Sequence, residues 1–122
     1  MVLEATSWIK DEIANIWSSL DGPKSLEELQ RAVDEPADGY QIHHIVEQTP
    51  ARDENFLDAL IDGPDNLVRI PTLKHRDIGG WYSTPNKKFE GLSRRDYLRG
   101  TDWDKRRKVG IDALIEFGVL KP

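Results

Sequence analysis

The chain has 122 residues, of which 38% are hydrophobic and 32% are charged, and this length fits one domain with a modest core. It contains no cysteine, which excludes disulfides, zinc ribbons and thiol catalysis, so any metal must be held by histidine, carboxylate or water. The net charge of −5 argues, taken alone, against a nucleic-acid partner.

Residues 1–39 are predicted to form two helices. Apolar residues at helical spacing indicate an amphipathic helix over residues 4–20. Its apolar stripe is expected to be part of the core or, alternatively, a face that binds a partner, and includes Trp8, Ile13, Ile16 and Trp17. Ser25 and Glu28 have the spacing of a capping box, which opens a second helix that runs to about Val33.

The middle of the chain alternates between strands and helices. In order, the sequence predicts a strand (40–46), a loop (49–53), a short helix (54–61), a turn (62–65), a strand (67–70) and a helix from residue 72 that weakens or ends at Gly79-Gly80. A loop over residues 83–92 and a helical turn over 93–98 follow. A last helix, capped by Thr101 or Asp102, ends near Gly118. The predicted fold class is therefore α+β and mostly helical.

No leader or membrane segment is recognisable in the sequence. The first ten residues lack the basic-then-apolar pattern of a signal peptide. No apolar run approaches the roughly 20 residues of a membrane span. We therefore expect a cytoplasmic protein without membrane contacts, although delivery by a specialised secretion system stays open.

The three histidines of the chain lie within one stretch, from His43 to His75. His43 and His44 are adjacent on a predicted strand, so their side chains point to opposite sides of it and need not share a role. His75 falls early on the helix that follows the second strand, and a helix packed on the strands could bring it to the same place. Neutral imidazole suits both metal binding and base catalysis near neutral pH.

This stretch resembles the HNH (His-Me finger, ββα-metal) endonuclease superfamily. The matching segments are Tyr-Gln-Ile-His-His-Ile-Val at 40–46, Asp-Asn-Leu-Val-Arg-Ile-Pro at 65–71, and His75, nine residues after Asn66. Within the superfamily the chain is most similar to the His-His variants, which include colicin-type DNases and bacterial polymorphic-toxin nucleases. The resemblance covers residues 40–80 and implies a nuclease core there, within a single domain, between N-terminal helices (1–39) and a basic helical region (81–122).

The resemblance also implies a role for each matching residue. His43 and His75 would bind one divalent metal ion, and His44 would be the general base that takes a proton from the attacking water. Asn66 would hold the loop and orient that base. The identity of the metal stays open, because imidazole suits nickel and zinc whereas a water-rich site suits magnesium or manganese.

The sequence departs from the family pattern at one expected ligand. Many His-His nucleases carry another histidine four residues after the helix ligand, where this chain has Gly79. Two alternatives stay open: the site uses two protein ligands with water and phosphate, or Glu47 or Asp77 is an additional ligand.

The charge distribution points to a polyanionic partner in spite of the negative total. Residues 1–68 carry 4 basic and 15 acidic residues, a net of −11, whereas residues 69–108 carry 12 basic and 5 acidic residues, a net of +7. Basic residues of this half are candidates for phosphate contacts: Arg69 and Arg76 are the first choices because they are nearest in sequence to His75, and Lys74, Arg94, Arg95 and Arg99 are among the further candidates. Alternatively, the acidic and basic halves simply pair with each other.

The leading interpretation is a metal-dependent endonuclease that hydrolyses phosphodiester bonds in DNA, with RNA a less favoured substrate. It could be a toxin, a phage-type enzyme or a stand-alone nuclease, and a toxin would have an acidic immunity protein as its partner. One alternative is a catalytically degenerate module that binds nucleic acid or a protein. Another is a structural or regulatory domain with neither activity, in which replacement of His44 changes nothing.

Overall fold

The computed structural model describes the backbone of residues 2–122 and the side chains from residue 7 onward. Over that range the chain is α+β and mostly helical, as predicted, with helices on both sides of a two-stranded sheet. Its elements are α1 (Val2–Ser19), α2 (Leu26–Arg31), β1 (Tyr40–His44), α3 (Gln48–Asp53), α4 (Asp58–Ile61), β2 (Leu67–Pro71), α5 (Thr72–Ser83), α6 (Arg94–Tyr97) and α7 (Trp103–Glu116).

The sheet consists of β1 and β2, which pair antiparallel from Tyr40 opposite Pro71 to His44 opposite Leu67. Both strands were expected from their β-branched and aromatic residues. Strand β1 ends two residues earlier than predicted: the Ile45 N–H still bonds to the backbone carbonyl of Asn66, but the Val46 N–H bonds to the Asn66 side chain instead of to a backbone carbonyl. Helix α5 begins directly after β2 and packs back against both strands.

The main core lies where the sheet, α5 and α7 meet. Its fully buried side chains include Ile45, Val68, Ile70, Ile78, Tyr82, Ala113 and Leu114. Burying each large aliphatic side chain contributes about 1.5–3 kcal/mol, so this cluster fixes α5 on the strands. A smaller cluster lies under the connection between β1 and β2 and consists of Val46, Ala51 and Ile61, with Phe56 and Trp103 packed against it.

Helix α7 approaches the end of β1 very closely. Asp102 caps the helix by accepting a hydrogen bond from the backbone N–H of Lys105 at 2.8 Å. Farther along, Gly110 lies against Ile45, and a Cβ at position 110 would be 2.0 Å from the carbonyl oxygen of Ile45. The absence of a side chain at Gly110 is thus a condition for this contact between helix and strand.

Helix α1 is inverted with respect to the prediction, because its polar face lies against the protein and its apolar stripe faces solvent. Asn15 and Ser18 are buried, and the Ser18 hydroxyl donates to the carbonyl oxygen of Gly39 at 2.7 Å. The predicted core residues of the stripe are 48% to 69% exposed: Trp8, Ile13, Ile16 and Trp17. The core prediction is wrong because α1 packs on the protein through its small residues. The carbonyl oxygen of Ala14 lies so near Gly39 that position 39 has no room for a side chain.

Helix α3 was missed by the sequence analysis, which predicted a loop over residues 49–53. Pro50 falls in the first turn of this helix, where a backbone N–H has no helical partner and its loss costs nothing. Asn55 then adopts a left-handed conformation with φ of +66°, which breaks the predicted helix 54–61 and leaves only its second half helical.

Helix α5 continues through Gly79-Gly80 to Ser83, so the predicted weakening at the glycines does not end it. Each glycine costs about 1 kcal/mol relative to alanine within a helix. Burial of Ile78 and Tyr82 on either side outweighs that cost. In the part of the chain that the structure describes, no helix has the length and apolar character needed to cross a membrane.

Candidate functional site

Three histidines from two elements gather at one cavity. His43 and His44 come from the end of β1, and His75 comes from the first turn of α5. The rings of His43 and His75 meet edge to face, with their centroids 5.3 Å apart. All three side chains line an open cavity of about 530 Å³, whose wall also includes Glu47, Asp53, Gly79, Tyr82, Arg95 and Arg99.

The ring of His43 is buried, with only 6% of the residue exposed. Its Nε2 atom is buried and has no hydrogen-bond partner among the described residues. Burial, together with electrostatic repulsion of the charged form by the nearby His75 and His44 rings, lowers the pKa of His43 to about 3. His43 is therefore neutral at neutral pH and presents an unsatisfied ring nitrogen.

His75 is half-buried at the same cavity. Burial lowers its pKa below the ordinary histidine value, and repulsion from His44 adds to the effect. Two neutral imidazoles therefore lie side by side. Gly79 follows His75 by one helical turn and also lines the cavity, and a Cβ there would meet nothing within 4 Å.

His44 is oriented by a carboxylate that the sequence analysis assigned to a turn. Its Nε2 lies 3.1 Å from an Oδ1 atom of Asp62. Arg52 donates two hydrogen bonds of 2.8 Å to the same carboxylate. The hydrogen bond from Arg52 lowers the pKa of Asp62, and the one from His44 adds to the effect, so Asp62 is ionised. No local pattern in the sequence links Asp62 to a histidine 18 residues earlier.

Asn66 joins the segment after His44 to the start of β2. It is almost fully buried, and its Oδ1 accepts from the N–H of Val46 at 2.8 Å. Its Nδ2 donates to the carbonyl oxygens of Val46 and Ile61 at 3.2 and 2.9 Å. Both hydrogens of the amide are thus used, and the backbone that leaves His44 is held at two points.

Replacing Asn66 with aspartate is expected to lower the free energy of unfolding by about 2 kcal/mol, because two carbonyl oxygens lose their donor and face a carboxylate. Urea denaturation measures this loss. Asn86→Asp is the matched control, since the Oδ1 of Asn86 only accepts a hydrogen bond from the N–H of Lys88 and a carboxylate does the same. Equal stability of both variants would contradict the bridging role.

Of the two candidates for an additional ligand, only Glu47 reaches the cavity. Its carboxylate is held by Arg95 through Nε–Oε1 and Nη2–Oε2 distances of 3.0 and 2.6 Å. Asp77 is exposed and is not among the residues that line the cavity. From residue 7 onward, where side chains are described, His, Asp and Glu nowhere form a group of three or more that could hold a metal ion.

Arg95 and Arg99 are the predicted phosphate contacts that line the histidine cavity. Arg95 pairs with Glu47, and Arg106 of the basic region is buried and pairs with Glu54. Part of the positive charge of residues 69–108 is therefore neutralised by the acidic half of the chain, as one of the two interpretations of the charge pattern expects.

The remaining predicted phosphate contacts lie outside the lining of this cavity: Arg69, Lys74, Arg76 and Arg94. Arg69 stacks over the ring of Tyr40 at 4.2 Å and donates to a backbone carbonyl. Arg94 stacks over the ring of Trp81 at 3.9 Å. Both guanidinium groups thus have partners within the protein.

No family model, curated protein or solved structure matches this chain. The chemistry open to the site follows from its own side chains. Two neutral imidazoles lie together and can bind a cation, and a third is oriented by a carboxylate. Two guanidinium groups lie on the cavity wall, and each is paired with a carboxylate, Arg95 with Glu47 and Arg99 with Asp96.

Proposed function

We propose that this chain is a metal-dependent endonuclease of the HNH type, with β1, β2 and the start of α5 as its ββα-metal motif. The observation that carries the proposal is the Nε2 atom of His43. A buried polar nitrogen without a partner costs about 1–3 kcal/mol, and this one lies beside His75 at an open cavity. A cation bound by both rings would recover that cost.

The residues present fit a divalent cation with an incomplete protein shell. His43 and His75 are both neutral, so neither must lose a proton to bind a metal. Their imidazoles would hold the ion, and water and substrate phosphate would fill its other positions. A divalent ion supplies stabilisation of the negative charge on the phosphate and on the leaving oxygen. Glu47 could join only if its pair with Arg95 opens.

His44 is suited to be the general base. Because Asp62 can only accept, the hydrogen of the His44 ring resides on Nε2, and the lone pair is on Nδ1. That nitrogen can take the proton from a water molecule as the water attacks phosphorus, and the ionised Asp62 stabilises the resulting imidazolium. Arg95 and Arg99, on the wall of the same cavity, would bind the phosphodiester.

The direct test is cleavage of supercoiled plasmid DNA by the purified protein in Mg²⁺, Mn²⁺, Ni²⁺ or Zn²⁺, with EDTA as the control. We expect nicking with at least one metal and none in EDTA. A single-stranded RNA in parallel reactions establishes whether RNA is also a substrate. A folded protein that cleaves neither nucleic acid with any of the four metals would overturn the proposal.

A second candidate function is a catalytically degenerate module that binds nucleic acid. It is favoured by the absence, within the described residues, of a third His, Asp or Glu grouped with His43 and His75. This module would bind DNA equally well in metal and in EDTA, and cleavage would not occur. Binding that requires the metal would favour the nuclease.

Gly79→His is expected to strengthen metal binding by about 10-fold or more, because residues four apart share one helix face and a third imidazole would join His75 there. The space beyond position 79 is open, so the helix can accept the new side chain. Isothermal titration with Zn²⁺ and Ni²⁺ measures the change.

Gly80→His provides the matched control for this experiment. Gly80 is also exposed within α5 and has open space around it, but its side chain would point about 100° away around the helix. We expect no gain in affinity from it. If Gly79→His also brings no gain, His43 and His75 are not the first two ligands of a metal.

A further inference from the structure

The exposed apolar stripe of α1 is the largest feature that the proposed function leaves unexplained. It consists of Trp8, Ile9, Ile13, Ile16, Trp17 and Leu20, all between 48% and 70% exposed. We propose that this stripe is a dimer interface, on which α1 of a second copy of this chain packs antiparallel. The proposal is independent of the metal site, because none of the α1 residues with described side chains lines the histidine cavity.

The body of the protein fixes the stripe in its outward position. The opposite face of α1 holds buried Asn15 and Ser18, and Ser18 bonds to the backbone of Gly39. A Cβ at Gly39 would lie 2.4 Å from the carbonyl oxygen of Ala14, so helix and loop are in close contact. Rotating α1 to bury the stripe would break this contact and the hydrogen bond of Ser18, so only a partner from outside the chain can cover the stripe.

The size of the stripe fits a dimer of ordinary affinity. Two tryptophans that are about two-thirds exposed and four aliphatic residues that are 48% to 70% exposed present on the order of 700 Å² of apolar surface. A stable protein–protein interface buries about 800 Å² on each partner. Scattered single apolar residues are normal on a surface, but a continuous patch of this size marks an interaction site.

The order of residues along the stripe favours a second copy as the partner. A two-fold interface requires that residue i of one copy contacts residue j of the other and that j contacts i. The stripe reads Trp8-Ile9 at one end and Ile16-Trp17 at the other, so its sequence is nearly the same in both directions. In antiparallel packing centred between residues 12 and 13, each Ile9 lies opposite Ile16 of the second copy, and each Trp8 lies at the height of Trp17 at the edge of the interface.

The charge around the stripe argues against a lipid surface as the occupant. Helices that lie on membranes are rich in Lys and Arg on their polar face. Beside the stripe, this helix carries Lys10 with Asp11 and Glu12, and residues 1–68 have a net charge of −11. Anionic lipid would be repelled by this part of the chain, whereas a protein partner covers the stripe at no such cost.

Sedimentation equilibrium of the full chain over a range of concentrations tests the dimer. We expect the unaltered chain to dimerise and Trp17→Lys to raise the dissociation constant by on the order of 30-fold or more, as for the loss of a tryptophan from an interface. Leu57→Lys is the matched control, since Leu57 is 73% exposed but lies outside α1, and it should dimerise normally. Unchanged thermal melting of both variants shows that they fold.

Disulfide cross-linking tests the antiparallel direction, because the chain has no cysteine of its own. Ile13→Cys lies next to the two-fold axis and should form a covalent dimer, whereas the two copies of Leu20→Cys would be separated by roughly 22 Å along the helices. Cross-linking of Leu20→Cys would indicate parallel packing and overturn this arrangement. A chain that stays monomeric would overturn the dimer. If that monomer also bound vesicles of anionic lipid through Trp17, the stripe would instead be a membrane-binding surface.

Discussion

His44→Ala is expected to reduce DNA cleavage by at least about 100-fold, because a positioned general base contributes roughly 10²–10⁴-fold to such a reaction. Metal binding should be unchanged, since the proposed ligands are His43 and His75. Stability should change little, because His44 is bonded only to the exposed carboxylate of Asp62. Initial rates of plasmid nicking, with metal affinity measured by titration calorimetry, separate these effects.

Asp62→Asn gives this experiment a second variant with a different expected result. The amide can still approach the Nε2 atom of His44, but it no longer provides a negative charge or a certain acceptor for the ring hydrogen. Cleavage should fall less than in His44→Ala, by about 10-fold as for a lost orienting partner. Cleavage at the unaltered rate by His44→Ala would show that the base lies elsewhere, and would remove His44 from the mechanism.

The parts of the fold that depend on neighbouring residues were predictable from the sequence. The capping box of Ser25 and Glu28 and the cap at Asp102 are present, because each needs only a side chain and a backbone N–H three residues away. Both strands were also predicted from local sequence, through their β-branched and aromatic residues. The missed helix α3 shows the limit of such rules, since Pro50 reads as a breaker unless its place in the first helical turn is known.

The orientation of α1 was not predictable in this way. Periodicity reveals that a helix has an apolar stripe but not on which side the rest of the protein lies. The close approach of Gly39 to Ala14 and Ser18 determines which face of α1 is buried. Gly39 is more than 20 positions from both of them in the sequence. A stripe of this kind on the surface can therefore be recognised only after the fold is known.

In the histidine cavity, the positions of the histidines were predictable from the sequence, but their partners were not. Alternation along β1 separates His43 from His44, and the start of α5 directly after β2 brings His75 to the same side as His43. The partners of these groups come from distant parts of the chain. Asp62 lies 18 residues from His44, and Arg95 lies 48 residues from Glu47, so neither pair has a local signature.

Gly110→Ala is expected to destabilise the protein by more than about 3 kcal/mol, at or beyond the upper end for an overpacked core. The new Cβ would lie 2.0 Å from the carbonyl oxygen and 2.8 Å from the carbonyl carbon of Ile45. These are backbone atoms next to the last residue of β1, so they cannot move aside as the end of a flexible side chain would. Either α7 shifts away from the core or the segment after His44 is displaced, and both outcomes lower the urea concentration at the midpoint of unfolding.

Gly80→Ala is the control that isolates this contact. Gly80 also lies inside a helix, but a Cβ there meets nothing within 4 Å. Alanine should therefore stabilise the protein by about 0.5–1 kcal/mol, because it restricts the unfolded chain and favours the helix. Replacing glycine with alanine is thus expected to lower the stability of the protein at position 110 and to raise it at position 80. If Gly110→Ala is also stabilising, α7 does not approach Ile45 closely, and the packing of α7 against the end of β1 leaves room for a methyl group.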